Sequence, residues 1–258
     1  ISTDEASALI AFLNEKLGNE QITFYSGVSY RHLLVLKGGK KDIQCTPPHD
    51  VPGAPFNDVL INAKSNEAAI TARQLNELIM KSQELLEDHP VNVKRRNEGK
   101  DPANSIWPWS PGFKPKMPTL NELFGIKKSA VISAVDLIQG IGVYAGMEVI
   151  KVKGATGLYN TNYEGKAQAA IDALGEKDFV YLHIEASDEA GHEGDVELKT
   201  KTIEFLNNRI VKTILEATSK MDKPVAIAVL PDHPTPCALK THTREPVPFL
   251  IYKKGIRP

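Results

Sequence analysis

Two segments of this sequence carry aspartate and histidine directly after an apolar run. Asp188 and His192 stand four positions apart after the run 179–184, and the adjacent pair Asp232 and His233 follows the run 225–230. His242 comes shortly after that pair. Carboxylate and neutral imidazole groups are suitable ligands for Mn²⁺ and Zn²⁺. These five residues therefore predict a site for divalent metal ions.

The spacing of these residues favours two ions over one. Asp188 and His192 can face the same ion from a loop or from a single helical turn. The side chains of Asp232 and His233 diverge unless the backbone turns sharply, because the residues are adjacent. Two metal ions a few ångströms apart are a common device for phosphoryl transfer. The pattern therefore indicates chemistry on a phosphate group.

The part of the chain after residue 118 alternates apolar strand-like runs with helical patterns. This alternation predicts a mostly parallel α/β sheet with helices on both faces. Ligands of such sheets bind at the carboxyl ends of the strands, which is where the candidate metal ligands stand. The predicted strands are 130–134, 148–152, 179–185, 225–230 and 247–252, and the predicted helices are 137–145, 165–174 and 196–220. His183, inside the third strand, is predicted to be a core histidine with a hydrogen-bond partner.

The part before residue 118 has a different pattern, which predicts a separate α+β domain. A helix at 6–17 is followed by strands at 22–25 and 30–36, and by a long amphipathic helix at 66–86 that His89-Pro90 should stop. The segment 92–118 combines cations, tryptophans and prolines, which predicts a loop. The predicted domains are 1–118 and 119–258.

Composition and charge limit the kinds of partner. The chain has 258 residues, a formal net charge of -1 and 41% hydrophobic residues. This charge gives no reason to expect binding to nucleic acid or to a membrane surface, and no apolar run reaches the ~20 residues of a membrane span. Cys45 and Cys237 are predicted to be reduced thiols of a cytoplasmic protein. The chain starts at Ile1 in helix-like sequence, so we expect a piece of a longer protein.

The order Asp-x-x-x-His, Asp-His and His resembles the C-terminal signature of the cofactor-independent phosphoglycerate mutases, which are members of the alkaline phosphatase superfamily. The resemblance is closer to the archaeal-type branch, which includes bacterial members labelled proposed homoserine kinases. It covers essentially the whole chain. The further matching segments are 30–32, 47–53, 102–107 and 154–157.

This resemblance implies a ligand set for each of two ions. Asp188, His192 and His242 would hold one ion, and Asp232 and His233 would belong to the second. In the family, the second ion also needs an aspartate from a Gly-Asp-Gly motif, and a separate Ser or Thr is the nucleophile. This sequence contains no Gly-Asp-Gly. We therefore expect no catalytic nucleophile here. The parent protein would use two Mn²⁺ or Zn²⁺ ions, with Mg²⁺ as a further candidate, and this chain would bind at most one tightly.

The resemblance also assigns roles to the two domains. Residues 1–118 would be the inserted domain that covers the substrate, and residues 119–258 the C-terminal half of the phosphatase-like catalytic domain. A sheet without its remaining strands would leave apolar edges, which predicts self-association.

The implied activity of the parent protein is interconversion of 2- and 3-phosphoglycerate through a phosphoenzyme, with this chain alone inactive. Five residues are candidates for the phosphoglycerate site: Arg31, His49, Asp50, Arg95 and Asn104. A guanidinium group suits phosphate and carboxylate. Most of these residues also have an alternative role without a substrate. Arg95 could be a solvated surface charge, His49 and Asp50 could close a Pro-rich turn, and Asn104 could hold its irregular loop together.

Two other functions stay open. One is phosphoryl transfer to another small alcohol such as homoserine, although the sequence has no Gly-x-x-x-x-Gly-Lys-Ser/Thr loop for a nucleotide. The other is a non-catalytic binding fragment.

Overall fold

The computed structural model describes residues 1–51 and 53–255, and the side chain of His49 lies outside this description. The chain divides into two compact units, Ile1–Lys114 and Pro115–Pro258. The sequence pattern put the change of character near residue 118. No helix of the described residues is both long and apolar enough to span a bilayer. Cys45 and Cys237 are free thiols.

The first unit opens with helix α1, Thr3–Leu17. The Ser2 hydroxyl accepts a hydrogen bond from the Glu5 N–H, and the Glu5 carboxylate accepts one from the Ser2 N–H. This reciprocal capping box satisfies two donors that the helix would leave unpaired. Helix α1 therefore begins before residue 6, where the apolar pattern starts.

Two short antiparallel pairs and two more helices complete this unit. Strand β1, Ile22–Tyr25, pairs with β2, Leu33–Leu36, and β3, Ile43–Gln44, pairs with β4, Asn62–Ala63. Helix α2 spans Ala69–Glu87 after a 3₁₀ turn at Asn66–Ala68, and 3₁₀ turns also occur at Pro48–Asp50 and Phe56–Val59. The core joins α1 and α2 to the first strand pair through Ile10, Ile22, Phe24, Leu75 and Ile79.

Two local expectations for this unit are wrong. The sequence predicts a loop over 92–118, but the start of this segment belongs to a helix, α3, Pro90–Asn97. Pro90 stops α2 as predicted, and it also occupies the first position of α3, where its missing N–H costs nothing. The His89 side chain caps this helix by accepting from the Val91 N–H. Strand β2 begins at Leu33, so Arg31 and His32 precede the strand and both are exposed.

The second unit contains a three-stranded parallel sheet in the order β6-β5-β7. Its strands are β5, Ser129–Ile132, β6, Glu148–Val149, and β7, Phe179–Leu182. The central strand β5 is buried at all four positions, as expected for an apolar strand covered on both faces. The helices of the unit are α4, Leu120–Phe124, α5, Asp136–Tyr144, α6, Tyr163–Leu174, α7, Ala186–Glu193, α8, Val196–Phe205, and α9, Lys212–Thr218. A π-helical segment, Leu206–Val211, joins α8 to α9.

The last two strands form a separate pair. Strand β8, Ala226–Val229, pairs antiparallel with β9, Leu250–Lys253. Their apolar sequences predicted buried strands of the parallel sheet, yet every residue of β9 is exposed. An apolar strand sequence indicates that the strand should be buried, but it does not identify the element that packs against it.

Candidate metal centre

Helix α7 presents Asp188 and His192 on one face, one turn apart. The sequence predicted a loop or a single turn here, and the structure has an eight-residue helix. It ends at Gly194, whose φ of 76° lies in the left-handed region that favours glycine. Asp188 Oδ2 and His192 Nε2 are 3.3 Å apart. The two side chains can therefore bind one ion.

His242 joins this pair from the segment between β8 and β9. Its Nε2 atom lies 3.0 Å from His192 Nε2 and 3.5 Å from Asp188 Oδ1. Zinc bonds of roughly 2.0–2.1 Å in a tetrahedral site place ligand atoms about 3.3 Å apart. The spacing of the three side chains thus fits one small divalent ion.

The backbone around Lys240 orients His192. His192 Nδ1 lies 3.0 Å from the Lys240 carbonyl oxygen. A carbonyl oxygen only accepts, so Nδ1 carries the proton and donates it. The neutral ring then keeps its lone pair on Nε2, the atom that faces Asp188 and His242. A hydrogen bond from the second ring nitrogen is the usual way in which proteins orient a metal-binding histidine.

His233 approaches the same three residues. Its ring centroid lies 3.8 Å from that of His242, and its Nδ1 atom lies 3.9 Å from Asp188 Oδ1. Asp188, His233 and His242 offer ligand atoms that all lie within 4.8 Å of one another. Four of the five predicted ligands are therefore drawn together, and the structure does not separate His233 from the set assigned to the first ion.

Asp232 takes a more peripheral place. Its Oδ2 atom lies 3.5 Å from His233 Nε2, and its side chain is 64% exposed, compared with 26% for that of Asp188. Asp232 therefore contacts the cluster through His233 and presents its carboxylate largely to solvent.

The structure adds groups that the sequence did not single out. The hydroxyl of Thr235 donates a hydrogen bond to Asp188 Oδ1. Glu185, the residue just before α7, and Glu189 on α7 form a second group of potential ligand atoms with Asp188. The acidic segment 185–189 was a visible signal for the two glutamates. No sequence signal marks Thr235, because its role depends on a contact across 47 positions.

Two titratable groups near the candidate ligands are shielded from solvent: Lys166 is fully buried and His183 is half-buried. Burial lowers the pKa of His183, and the charge of Asp232 opposes this effect. His183 Nδ1 is 3.3 Å from the Ser133 hydroxyl, so the predicted hydrogen-bond partner exists. Burial also lowers the pKa of Lys166, opposed by Glu185, and the ammonium donates to the Thr156 carbonyl at 3.2 Å.

The five candidates for the phosphoglycerate site all belong to the first unit. Arg95 has structural partners there: it contacts Glu5 Oε2 at 3.0 Å and donates to the Asp101 carbonyl at 2.8 Å, with its side chain 13% exposed. Arg31 is exposed beside the Tyr30 ring. Asp50, in a 3₁₀ turn, and Asn104 are also exposed, while the His49 side chain lies outside the described residues.

Comparison with known proteins agrees with a metal centre. A family model described as the metalloenzyme superfamily matches residues 24–258. The chain is 53% identical over 254 residues, 98% of its length, to a 2,3-bisphosphoglycerate-independent phosphoglycerate mutase of Methanosarcina mazei, and it spans 62% of that relative.

Two solved structures are similar to the chain. A protein from Pyrococcus horikoshii has a TM-score of 0.74 at 29% identity, over 99% of this chain and 61% of that one. A cofactor-independent phosphoglycerate mutase from Thermoplasma acidophilum has a TM-score of 0.62 at 25% identity, over 97% of this chain and 61% of that one. The family match over residues 24–258 shows that the chain belongs to the metalloenzyme superfamily.

Proposed function

We propose that this chain supplies the metal-binding part of a phosphoglycerate mutase that interconverts 2- and 3-phosphoglycerate through a phosphoenzyme. The observation that carries the proposal is the convergence of Asp188, His192 and His242, with ligand atoms 3.0 to 3.5 Å apart. The mutase names of the relatives, similar over nearly the whole chain, supply the reaction.

The proposed ligands form two unequal sets. Asp188, His192 and His242 would hold one Mn²⁺ or Zn²⁺ ion, and Mg²⁺ is a further candidate. Asp232 and His233 would contribute to a second ion, which needs another carboxylate. When bound, divalent ions neutralise phosphate charge and lower the pKa of a nucleophilic hydroxyl. The side chains of this chain orient that centre, through the His192 to Lys240 hydrogen bond and the Thr235 to Asp188 hydrogen bond.

The first unit would be the substrate-covering domain. Within it, Arg31 is the stronger arginine candidate for the anionic groups of phosphoglycerate, because its guanidinium is exposed. Arg95 already binds Glu5 and the Asp101 carbonyl, which supports a structural role. His49, Asp50 and Asn104 are the remaining candidates for contacts with the substrate.

The chain alone is proposed to lack mutase turnover. A phosphoenzyme requires a nucleophile that is activated beside the metal centre. The family resemblance places the nucleophile outside the matched signature, and the Gly-Asp-Gly ligand motif is missing from this sequence.

Parallel assays test the proposal. A coupled assay should convert 3-phosphoglycerate in a longer protein that joins this chain to the remaining segment of its relatives, and Asp188→Asn should abolish conversion. A second assay supplies homoserine and ATP to the same protein. Turnover of homoserine without turnover of phosphoglycerate would replace the mutase by the kinase. Loss of both activities, with metal still bound, would favour a binding role.

A further inference from the structure

Thr235 is a buried hydroxyl residue in the middle of the candidate metal centre. It is 3% exposed and lies in the segment between β8 and β9. Its hydroxyl donates a hydrogen bond to Asp188 Oδ1. A carboxylate only accepts, so the single hydroxyl proton of Thr235 is used in this contact. The hydrogen bond fixes the rotation of the Asp188 carboxylate and leaves Oδ2 directed at His192, 3.3 Å away.

The same hydroxyl oxygen faces a second candidate ligand. His233 Nδ1 lies 3.3 Å from Thr235 Oγ1. Because the hydroxyl proton is given to Asp188, the oxygen can only accept from His233. Nδ1 of a neutral His233 then carries the proton, and Nε2 keeps the lone pair that a metal ion needs. One hydroxyl therefore sets the orientation of Asp188 and the tautomer of His233.

The backbone of Thr235 is held firmly against the helices. The Lys199 ammonium donates to the Thr235 carbonyl oxygen at 2.6 Å. Gly191 in α7 packs on that oxygen so closely that a Cβ at this position would overlap it. Thr235 is thus fixed to α7 and α8 by its backbone, and its hydroxyl reaches the ligands from a rigid support.

We propose that Thr235 is a positioning residue that couples the two ligand sets of the metal centre, by orienting Asp188 and selecting the metal-binding tautomer of His233. The proposal rests on the proposed metal centre and adds a residue that binds no ion itself. Hydrogen-bond partners of metal ligands typically contribute about 10–100-fold to metal affinity. Removal of the Thr235 hydroxyl should therefore lower the affinity for the metal ion by a factor in that range.

The test is a calorimetric titration of the 258-residue chain with Mn²⁺, and separately with Zn²⁺, at neutral pH. Thr235→Val, which keeps the shape and removes the hydroxyl, should bind about 10–100-fold more weakly. Thr235→Ser should restore most of the affinity. Thr218→Val is the matched control, because Thr218 is also buried and its hydroxyl bonds only the Leu215 carbonyl in the described residues. Circular dichroism checks that each variant is folded.

Each outcome separates this inference from the proposed function. Failure of the unmodified chain to bind either metal would overturn the metal centre and the inference with it. Normal binding by Thr235→Val would overturn the inference alone, as would equal losses in Thr235→Val and Thr218→Val. Equal losses in Thr235→Val and Thr235→Ser would show that the hydroxyl is not the cause. If Thr235→Val and Thr235→Ala both fail to fold, Thr235 serves the fold and not the ligands.

Discussion

The Nε2 atoms of His192 and His242 lie 3.0 Å apart, although 50 positions separate the two residues. The ring planes are tilted by 55° with centroids 4.9 Å apart, so the rings point nitrogen to nitrogen and do not stack. The Thr243 N–H donates to the Pro234 carbonyl at 3.1 Å, which holds the segment of His242 beside the segment of Asp232 and His233. This arrangement is the one expected for two ligands of the same ion.

We expect His192→Ala and His242→Ala each to weaken the binding of Mn²⁺ or Zn²⁺ by about 10-fold or more. Each change removes a metal ligand itself, and loss of a hydrogen-bond partner of a ligand already costs about 10–100-fold in affinity. Competition with a chromophoric chelator measures the affinity. His32→Ala serves as the control, because His32 is exposed in the first unit. A loss in the control that equals the loss in the other two would contradict the assignment.

Gly142 in α5 packs directly on the central strand. A Cβ at this position would overlap Val131 Cγ1 in β5. We expect Gly142→Ala to destabilise the second unit by about 1–3 kcal/mol, the usual cost of overpacking. Gly140→Ala is the control, since nothing lies within 4 Å of its added Cβ and alanine favours helix by up to about 1 kcal/mol. Urea unfolding followed by circular dichroism measures both, and similar effects at the two glycines would refute the packing argument.

Sequence patterns predicted the elements whose neighbours are local. Strand β1 was predicted at 22–25 and is observed at Ile22–Tyr25, and the long helix near 66–86 is observed as α2 with a preceding 3₁₀ turn. The spacing of apolar residues along the chain shows which side of a helix or strand is buried, and this burial stabilises elements such as β1 and α2. The sequence pattern does not reveal helix α3, because a proline after a helix indicates a stop, while its fixed φ also suits the first position of a new helix.

The features that could not be predicted from the sequence depend on contacts between residues that are far apart along the chain. The ligand types and their place at strand ends predicted the metal candidates, because the carboxyl ends of parallel strands gather at one edge. The pairing of β8 with β9 depends on which strands lie beside them, and an apolar run does not encode that choice. Thr235 and the Lys240 carbonyl act through contacts made 47 and 48 positions away.

The acidic cap of α1 should make the first unit sensitive to acid. The hydrogen bond from the Ser2 N–H lowers the pKa of Glu5 from its ordinary 4.5 to about 2; desolvation opposes this effect, and the Ser2 hydroxyl and Arg95 reinforce it. Because the folded pKa is depressed, the stabilisation is complete above the unfolded value and is lost as pH falls from about 4.5 towards 2. Glu5→Gln should therefore be less stable than the unmodified chain at pH 7, and the difference should shrink in acid.

Both tryptophans of the chain, Trp107 and Trp109, lie in the first unit, so their fluorescence reports its unfolding in urea. Glu20→Gln, in an exposed position after α1, is the control. A Glu5→Gln difference that stays constant from pH 7 to pH 3 would argue against the ionised cap.

The exposed strand pair β8–β9 should cause self-association. Phe249 and Ile251 are 63% and 64% exposed, and among the described residues no third strand joins the pair. Contiguous apolar surface and open strand edges favour association between copies. Ile251→Lys should lower the weight-average mass seen in sedimentation at high protein concentration. Ile70→Lys is the control, because Ile70 is 75% exposed on helix α2. Monomeric behaviour of the unmodified chain would refute this expectation.

The metal stoichiometry of the chain should be at most one tight ion. Asp188, His192 and His242 offer three ligand side chains at suitable spacing, and water can complete the coordination of one ion. A second ion would depend on His233 and on Asp232, whose side chain is 64% exposed. The family resemblance gives the second ion a further aspartate from a Gly-Asp-Gly motif, which this sequence does not contain. A missing anionic ligand weakens a site because both a bond and a negative charge are lost, so this second set should bind weakly.

Calorimetric titration with Mn²⁺ should therefore give one tight equivalent, and Asp232→Ala should leave it nearly unchanged. His233→Ala adds a separate measurement, because His233 lies close to both Asp188 and His242. A reduced affinity of the tight ion in this variant would show that His233 completes the first site in this chain, while an unchanged affinity would keep it with the second set. Two tight equivalents, or conversion of 3-phosphoglycerate by the chain alone, would show that the ligands present here already suffice for the complete centre.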